Sequence, residues 1–308
     1  MRLTKYYLAA ITAFVIWGFF SLALKPLHDY PSLDILFYRV FLCVVLMLVI
    51  SLGFRRKTIT ETAAYFKSLG SKQKRNLILL TLGGSMLLTS NWFLFIYVMN
   101  HISVKAASFA YLVCPILTTV FAYFILEEKL TKMQWTAVGL SLFSCVLLGY
   151  GHFEDVFYSL IVAATYALYL VIQKKNTAID KFFLLTVQLI FTAIFLLPFY
   201  PFYRGEVPTE LSFYSYILII AVVFTIVPLF LNLYALKRIN SSTVGILLYI
   251  NPIITFLLAL FYYKESITVF QIITYSLILL SIVIFNSHLF HKAGKIRFKK
   301  NAPVKGAF

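Results

Sequence analysis

Arg39 places a permanent positive charge about six residues into an apolar run, roughly 9 Å below a membrane edge if that run is a transmembrane helix rising 1.5 Å per residue. A guanidinium at that depth needs a partner, because hydrocarbon cannot solvate it. Either it attracts an anionic or carboxylate group, or acts in an outer gate with Glu265, or it simply snorkels outward or pairs with Asp34. Two prolines, Pro115 and Pro252, interrupt other apolar runs. Each removes an amide donor and frees the carbonyl four residues earlier, on Tyr111 and on Leu248. Those carbonyls and the Asn251 amide suit a polar cavity at mid-membrane, whereas plain helix packing uses the same prolines only as bends. Glu128 and Glu265 each follow their proline by thirteen residues. A carboxylate at a helix end can accept the amides that open the next helix, and that structural cap is preferred here to proton carriage.

The remaining candidates are polar and aromatic side chains inside apolar runs. Asn91, with Ser90, Trp92, Tyr97 and Asn100 around it, and Asn232 with Tyr234 carry groups that must find hydrogen bonds once buried. They either face a wet cavity or join neighbouring helices. Trp17, Tyr166 and Tyr169, with Gln173 in the same set, offer aromatic faces that could grip a flat or cationic ligand. Ala137, Ser141, Cys145 and Gly149 recur every four residues, a small-residue stripe for close helix packing or for a homodimer face. Pro198 and Pro228 have no proline counterpart and read as packing features alone. Cys43, Cys114 and Cys145 lack CxxC spacing and read as buried hydrophobes. The histidines have no metal spacing, and neither a nucleotide loop nor a nucleophile elbow nor a catalytic carboxylate pair is present, so the sequence carries no metal, cofactor or enzyme signature.

The elements that position these residues repeat. Residues 97–134 and 234–271 align at one offset of 137 with ten identities, including Tyr97, Pro115, Thr118, Phe124, Glu128, Thr131 and Gln134. Earlier in each half the offset becomes 149 and pairs Lys25 with Lys174, Leu36 with Leu185 and, non-identically, Arg39 with Gln188. The extra length belongs to a basic turn over 54–76, predicted to form a short amphipathic surface helix against anionic lipid.

With 61% hydrophobic and 12% charged residues, the chain exposes more apolar surface than a soluble core of 308 residues can hide. Windows of about twenty apolar residues predict ten spans, over 6–24, 33–53, 77–98, 106–126, 135–151, 156–172, 182–202, 213–236, 243–263 and 269–287. An amino terminus in the cytoplasm puts 22 of the 27 Lys and Arg on the inner side and four in outer turns. The net charge of +16 therefore reports membrane topology and not nucleic acid. Because five crossings is an odd number, the second half enters the membrane from the opposite side, and the expected fold is all-α: ten transmembrane helices as two inverted five-helix repeats, 1–151 and 152–291, with both termini cytoplasmic and a basic tail over 292–308.

These residues together resemble the EamA-type transporters of the drug/metabolite transporter superfamily, most closely the RarD group. The resemblance runs through Trp17-Gly18, Arg39, the segment Asn91-Trp92-Phe93-Leu94-Phe95-Ile96, Asn100-His101, Ala107-Ser108, Tyr111, Pro115, Glu128 and Gln134-Trp135. In the second half it runs through Thr225, Pro228-Leu229, Ser242-Thr243, Gly245, Tyr249-Ile250, Pro252 and Glu265, while Asn251 and Gln173 depart from the family's usual residues. It implies ten helices around a central cavity in the bacterial cytoplasmic membrane, with alternating access. The expected function is secondary transport, by export, of a small metabolite or drug-like molecule. Arg39, Asn91, Tyr111, Tyr249, Asn251, Trp17 and Tyr166 are the expected cavity or gate residues. The competing expectation is a membrane scaffold or sensor that acts through its basic tail on lipid.

Overall fold

The computed structural model describes residues 3–101, 104–150, 153–176, 179–264 and 269–287, and every regular element among them is helical. The first apolar run is broken. α1 (Thr4–Gly18) and α2 (Phe20–Leu24) meet at Phe19 with a bend of 41°. α3 (Ser32–Phe54) starts directly after Pro31, whose extended backbone begins the helix. α4 (Arg56–Ser68) is the expected surface helix of the basic turn, and none of its residues is buried. α5 (Ser71–His101) starts six residues before the predicted span, because Ser71-Lys-Gln-Lys-Arg-Asn suits a helix in water as well as the apolar run suits one in lipid.

α6 (Val104–Leu126) carries Pro115 without interruption, and α7 (Lys132–Gly149) opens on a reciprocal capping box between Thr131 and Gln134. α8 (Phe153–Lys175) follows. α9 (Lys181–Leu196), capped by the Asp180 carboxylate, ends earlier than the predicted 202. Pro198 cannot continue it, and a single turn, α10 (Tyr200–Tyr203), follows. The next span is α11 (Leu211–Ala221), a π-helical turn (Val222–Ile226) and α12 (Val227–Leu236). α13 (Ser241–Leu247) and α14 (Ile250–Phe261) are separated by a turn at Leu248 and Tyr249, and α15 (Val269–Phe285) closes the described chain.

Six of these helical segments are long and apolar enough to cross a membrane, and the bent α1–α2 pair makes a seventh. α9 and residues 272–285 are shorter apolar helices. The helices pack in a pattern that crosses the middle of the sequence: α1 against α12 and α14, α8 against α5 and α6, α3 against α9 and α11, α5 against α9, α6 against α13, and α7 against α15.

Close approaches set these contacts. The stripe Ala137, Ser141, Cys145 and Gly149 is buried within the chain: Ser141 Oγ meets Ser281 Oγ at 2.8 Å on α15, and Cys145 Sγ donates to Leu112 O. The stripe is thus consumed by intramolecular packing and offers no face to a second copy. Gly245 on α13 lies against α6, where an added Cβ would stand 2.8 Å from both Cβ and Cγ2 of Thr118. Thr118 cannot turn aside, since its own hydroxyl is bonded to Cys114 O. Gly245→Ala is expected to destabilise the protein by about 1–3 kcal/mol, read as a lower unfolding temperature in detergent. Gly139→Ala, at a position with nothing within 4 Å, should leave that temperature unchanged or higher.

Candidate functional site

Pro228 sits near the start of α12 and has no amide for the carbonyl of Phe224, four residues earlier in the π-helical turn. The Trp17 indole Nε1 donates to that carbonyl at 2.8 Å, 207 residues away in sequence. The proline that reads as packing alone is therefore the one whose freed carbonyl fixes a central side chain. Pro252 behaves differently from expectation. The Leu248 carbonyl it frees accepts the Asn251 amide at 3.0 Å, so it faces no cavity, and α14 restarts there in a tight turn. Pro115 is buried within a continuous α6, and Thr119 donates to the carbonyl of Pro115 itself.

Around Trp17 the aromatic side chains interlock. Trp17 meets Tyr166 edge-on with ring centroids 6.3 Å apart, and Tyr166 stacks on Tyr169 at 5.7 Å. The Tyr166 hydroxyl accepts a hydrogen bond from Asn232 Nδ2 at 3.1 Å, and the Tyr169 hydroxyl reaches Gln188 Oε1 at 3.4 Å. Tyr111 lies against Phe95 and within electrostatic reach of Tyr166 and Arg39. Trp17, Tyr166, Tyr111 and Arg39 thus share one region, contributed by α1, α8, α6 and α3. Gln173 and Gln188 add a fully buried pair of amides beside Gly84, where an added Cβ would stand 2.3 Å from Gln173 Nε2 and 3.0 Å from Gln188 Nε2. Gln188 was visible in the sequence only as the unequal repeat partner of Arg39.

The other expected residues have separate tasks. Asn91 Nδ2 donates to Val162 O at 2.9 Å and to Thr165 Oγ1 at 3.1 Å, tying α5 to α8. Tyr249 is fully buried beside Ser141 and Cys145 of α7. The Thr255 hydroxyl lies 3.1 Å from Asn251 O and 3.3 Å from Gly18 O, which sets Asn251 on the junction of α14 with α1. Asp34 is buried and takes the Gly205 amide with both oxygens, at 3.1 and 3.0 Å, so it is engaged elsewhere than at Arg39.

Glu128 does not cap the helix that follows it. Its Oε1 accepts the Ser241 amide at 2.7 Å, and Oε2 accepts the Ser242 amide at 3.1 Å and the Ser242 hydroxyl, so the carboxylate holds the start of α13, 113 residues on. α7 has its own cap in Thr131, which leaves Glu128 free to reach across. Glu127 turns the chain towards that contact with a left-handed backbone (φ 55°), and Lys264, at the matching position of the second repeat, has φ 53°. Lys174 Nζ secures the same loop by donating to Leu236 O at 3.0 Å and Ile239 O at 2.6 Å. Glu265 lies outside the described residues.

The open concavities lie away from this centre. One is an apolar groove between α4, α5 and α9 lined by Phe66, Leu77, Leu82 and Phe183. The other, beside α2, is lined by Lys25, His28, Tyr262 and Tyr263, with Lys25 Nζ 4.0 Å from the Tyr263 ring centre.

The EamA-like transporter family model matches residues 4–150 and 155–287. An uncharacterized transporter of Bacillus subtilis (strain 168), YojE, is 30% identical over 279 residues, 89% of this chain and 90% of its own length. Protein RarD of Escherichia coli (strain K12) is 27% identical over 285 residues, 90% of this chain and 92% of its own. An uncharacterized transporter of Vibrio cholerae is 30% identical over 91% of both chains. A crystal structure of another protein superposes with a TM-score of 0.72 over 91% of this chain and 96% of its own, at 15% identity, which shows a shared fold.

The Trp17–Phe224 bond makes a specific demand on stability. Trp17→Phe removes the indole donor from the Phe224 carbonyl and is expected to cost about 1 kcal/mol, measured as a drop in unfolding temperature. Pro228→Ala returns a backbone amide four residues on, so adding it to Trp17→Phe should recover most of the loss. A double variant no more stable than Trp17→Phe would sink this account of Pro228.

Proposed function

We propose, from the premise that this chain belongs to the EamA-like transporter family, that it exports small metabolites or drug-like molecules as a secondary transporter working by alternating access. The family and its relatives make it a multi-pass transporter of the bacterial inner membrane. The finer reading is ten spans in two inverted halves, with Trp17, Tyr111, Tyr166 and Arg39 at the junction where a substrate would pass. The packing pattern supports it. Exchange of the two halves turns the contact of α8 with α6 into that of α1 with α14, and the contact of α5 with α8 into that of α12 with α1. The contact of α7 with α15 maps onto itself. The matched left-handed residues Glu127 and Lys264 point the same way.

The observation that carries the mechanism is the Glu128 bridge. A buried carboxylate just past the end of α6, in the first half, holds two amides and a hydroxyl at the start of α13 in the second, and Lys174 fastens the α12–α13 loop to α8 within the second half. With the amino terminus in the cytoplasm, as the basic residues favour, this bridge closes the cytoplasmic side. Rocking one half against the other then requires the Glu128 bonds to break, and opens a path to the aromatic region.

A second reading, a membrane scaffold or sensor without transport, draws on the filled centre: Tyr166, Tyr169 and Tyr249 are each at most 5% exposed. Flux in proteoliposomes across a compound panel separates the two, and gradient-dependent movement of at least one compound is the expected result.

The bridge has its own test. With the three native cysteines replaced, a single cysteine at Thr243 should react with a membrane-impermeant maleimide applied from the cytoplasmic side. Glu128→Ala should raise that rate about tenfold, the effect of losing roughly 1.4 kcal/mol of closure. An unchanged rate would remove Glu128 from the gate.

A further inference from the structure

Arg39 has a cation's needs and few of its partners. Its Nε is enclosed without a hydrogen-bond partner. The ion pairs among the described residues are His28 with Asp29, Arg55 with Asp180 and Lys57 with Glu61, and none includes Arg39. Asp34, the acidic residue one turn away on the same helix, spends both carboxylate oxygens on Gly205. What Arg39 does have is a ring: its Cζ lies 4.8 Å from the centre of Trp92, on α5. The surrounding groups are Cys43 on its own helix and Tyr111 on α6. Cys43 in turn reaches Ala221 O, at the start of the π-helical turn whose Phe224 carbonyl holds Trp17.

A ring face offsets part of the cost of burying a guanidinium, but it leaves the in-plane Nε–H donor unused. A lasting orphan of this kind is costly inside a membrane protein. The group that repays it must be an anion, and a carboxylate fits best, since its two oxygens match the planar fork of donors. The neighbouring surface is aromatic: Trp92 under the guanidinium, Tyr111 with Phe95 beyond it, and Trp17 across the π-helical turn. We propose that Arg39 is the anion-binding group of this protein, and that its substrate class is small organic carboxylates with a flat or apolar body.

The inference rests on the transport reading above for its meaning, but binding can be measured separately from flux. Purified protein in lipid nanodiscs is titrated with benzoate, benzamide and benzylamine, one flat body bearing a negative, a neutral and a positive head, and tryptophan fluorescence and unfolding temperature are followed. The same three compounds are tested for flux in proteoliposomes. Arg39→Gln and Arg39→Lys are compared with the native chain, the lysine variant retaining the charge in case the glutamine variant fails to fold.

Benzoate should bind and the other two should not. Arg39→Gln should weaken benzoate binding about tenfold or more, and Arg39→Lys should weaken it less, since it keeps the charge and loses the fork. Equal binding of benzamide or benzylamine, benzoate binding unaffected in Arg39→Gln, or no benzoate binding at millimolar concentration would each overturn the assignment. Flux of amines or amides that is insensitive to Arg39→Gln leaves transport standing and the anion site refuted. Benzoate binding that depends on Arg39, with no flux of any compound, leaves the site standing and transport refuted.

Discussion

The Trp17 indole reaching the Phe224 carbonyl is the interaction around which the centre of this protein is arranged. Inside a bilayer there is no water to take a backbone carbonyl that loses its amide, so every proline in a span makes a demand on something nearby. Pro228 makes its demand at a π-helical turn, where the backbone is already widened. The side chain that answers comes from α1, one residue before its end at Gly18. The bond therefore ties an interrupted helix to a bulged one and sets the ring of Trp17 edge-on to Tyr166. From there the order spreads through hydroxyls and amides, Tyr166 to Asn232 and Tyr169 to Gln188, until α8, α9 and α12 are all committed.

A second constraint acts at the edge of the bundle. Helix starts leave amides without partners, and α13 is too short to draw stability from its own length. Ser241 and Ser242 are buried, so water does not serve them either. Glu128 answers from the other half of the chain, and the left-handed Glu127 before it gives the carboxylate its direction. The same bonds that complete α13 thus oppose separation of the halves. On the alternating-access reading, the capping requirement of a helix has been placed where breaking it is part of the working cycle.

Much of this was legible in the sequence, and the exceptions share a cause. Apolar length located the six long spans and the bent first pair, and the surplus of Lys and Arg over 54–76 announced α4, because both are local properties. The capping box of Thr131 and Gln134 that opens α7 is a local pattern too, although the expected cap there was Glu128. What local pattern could not give was the identity of a distant partner. The sequence rule sends Glu128 to the next helix, yet that helix already had its cap, and the carboxylate went 113 residues further. Pro115 and Pro252 drew attention through their symmetry, while unpaired Pro228 did not. A freed carbonyl matters only if no nearby amide can reach it, and a turn at Asn251 reaches Leu248 whereas the π-helical geometry leaves Phe224 to another helix.

The repeat also makes the chemistry of the two halves comparable position by position, and they differ where it counts. Arg39 and Gln188 align at the same offset in the second span of each half. Gln188 is sealed among Tyr169, Gln173 and Gly84, where its Oε1 accepts the Tyr169 hydroxyl and its Nε2 has no partner, but a neutral amide brings no net charge to be balanced. Arg39 carries a full charge over Trp92, where nothing but an anion balances it. If the halves are inverted, that charge lies nearer one face of the membrane, and its mirror position holds only a dipole. A symmetric scaffold can exchange inward and outward states at equal cost, so any preference between the two sides must come from such unequal positions. The guanidinium is the largest of them: an anionic substrate would meet a well on the Arg39 side that the other side lacks, and that difference, not the fold, would set the order in which states are occupied.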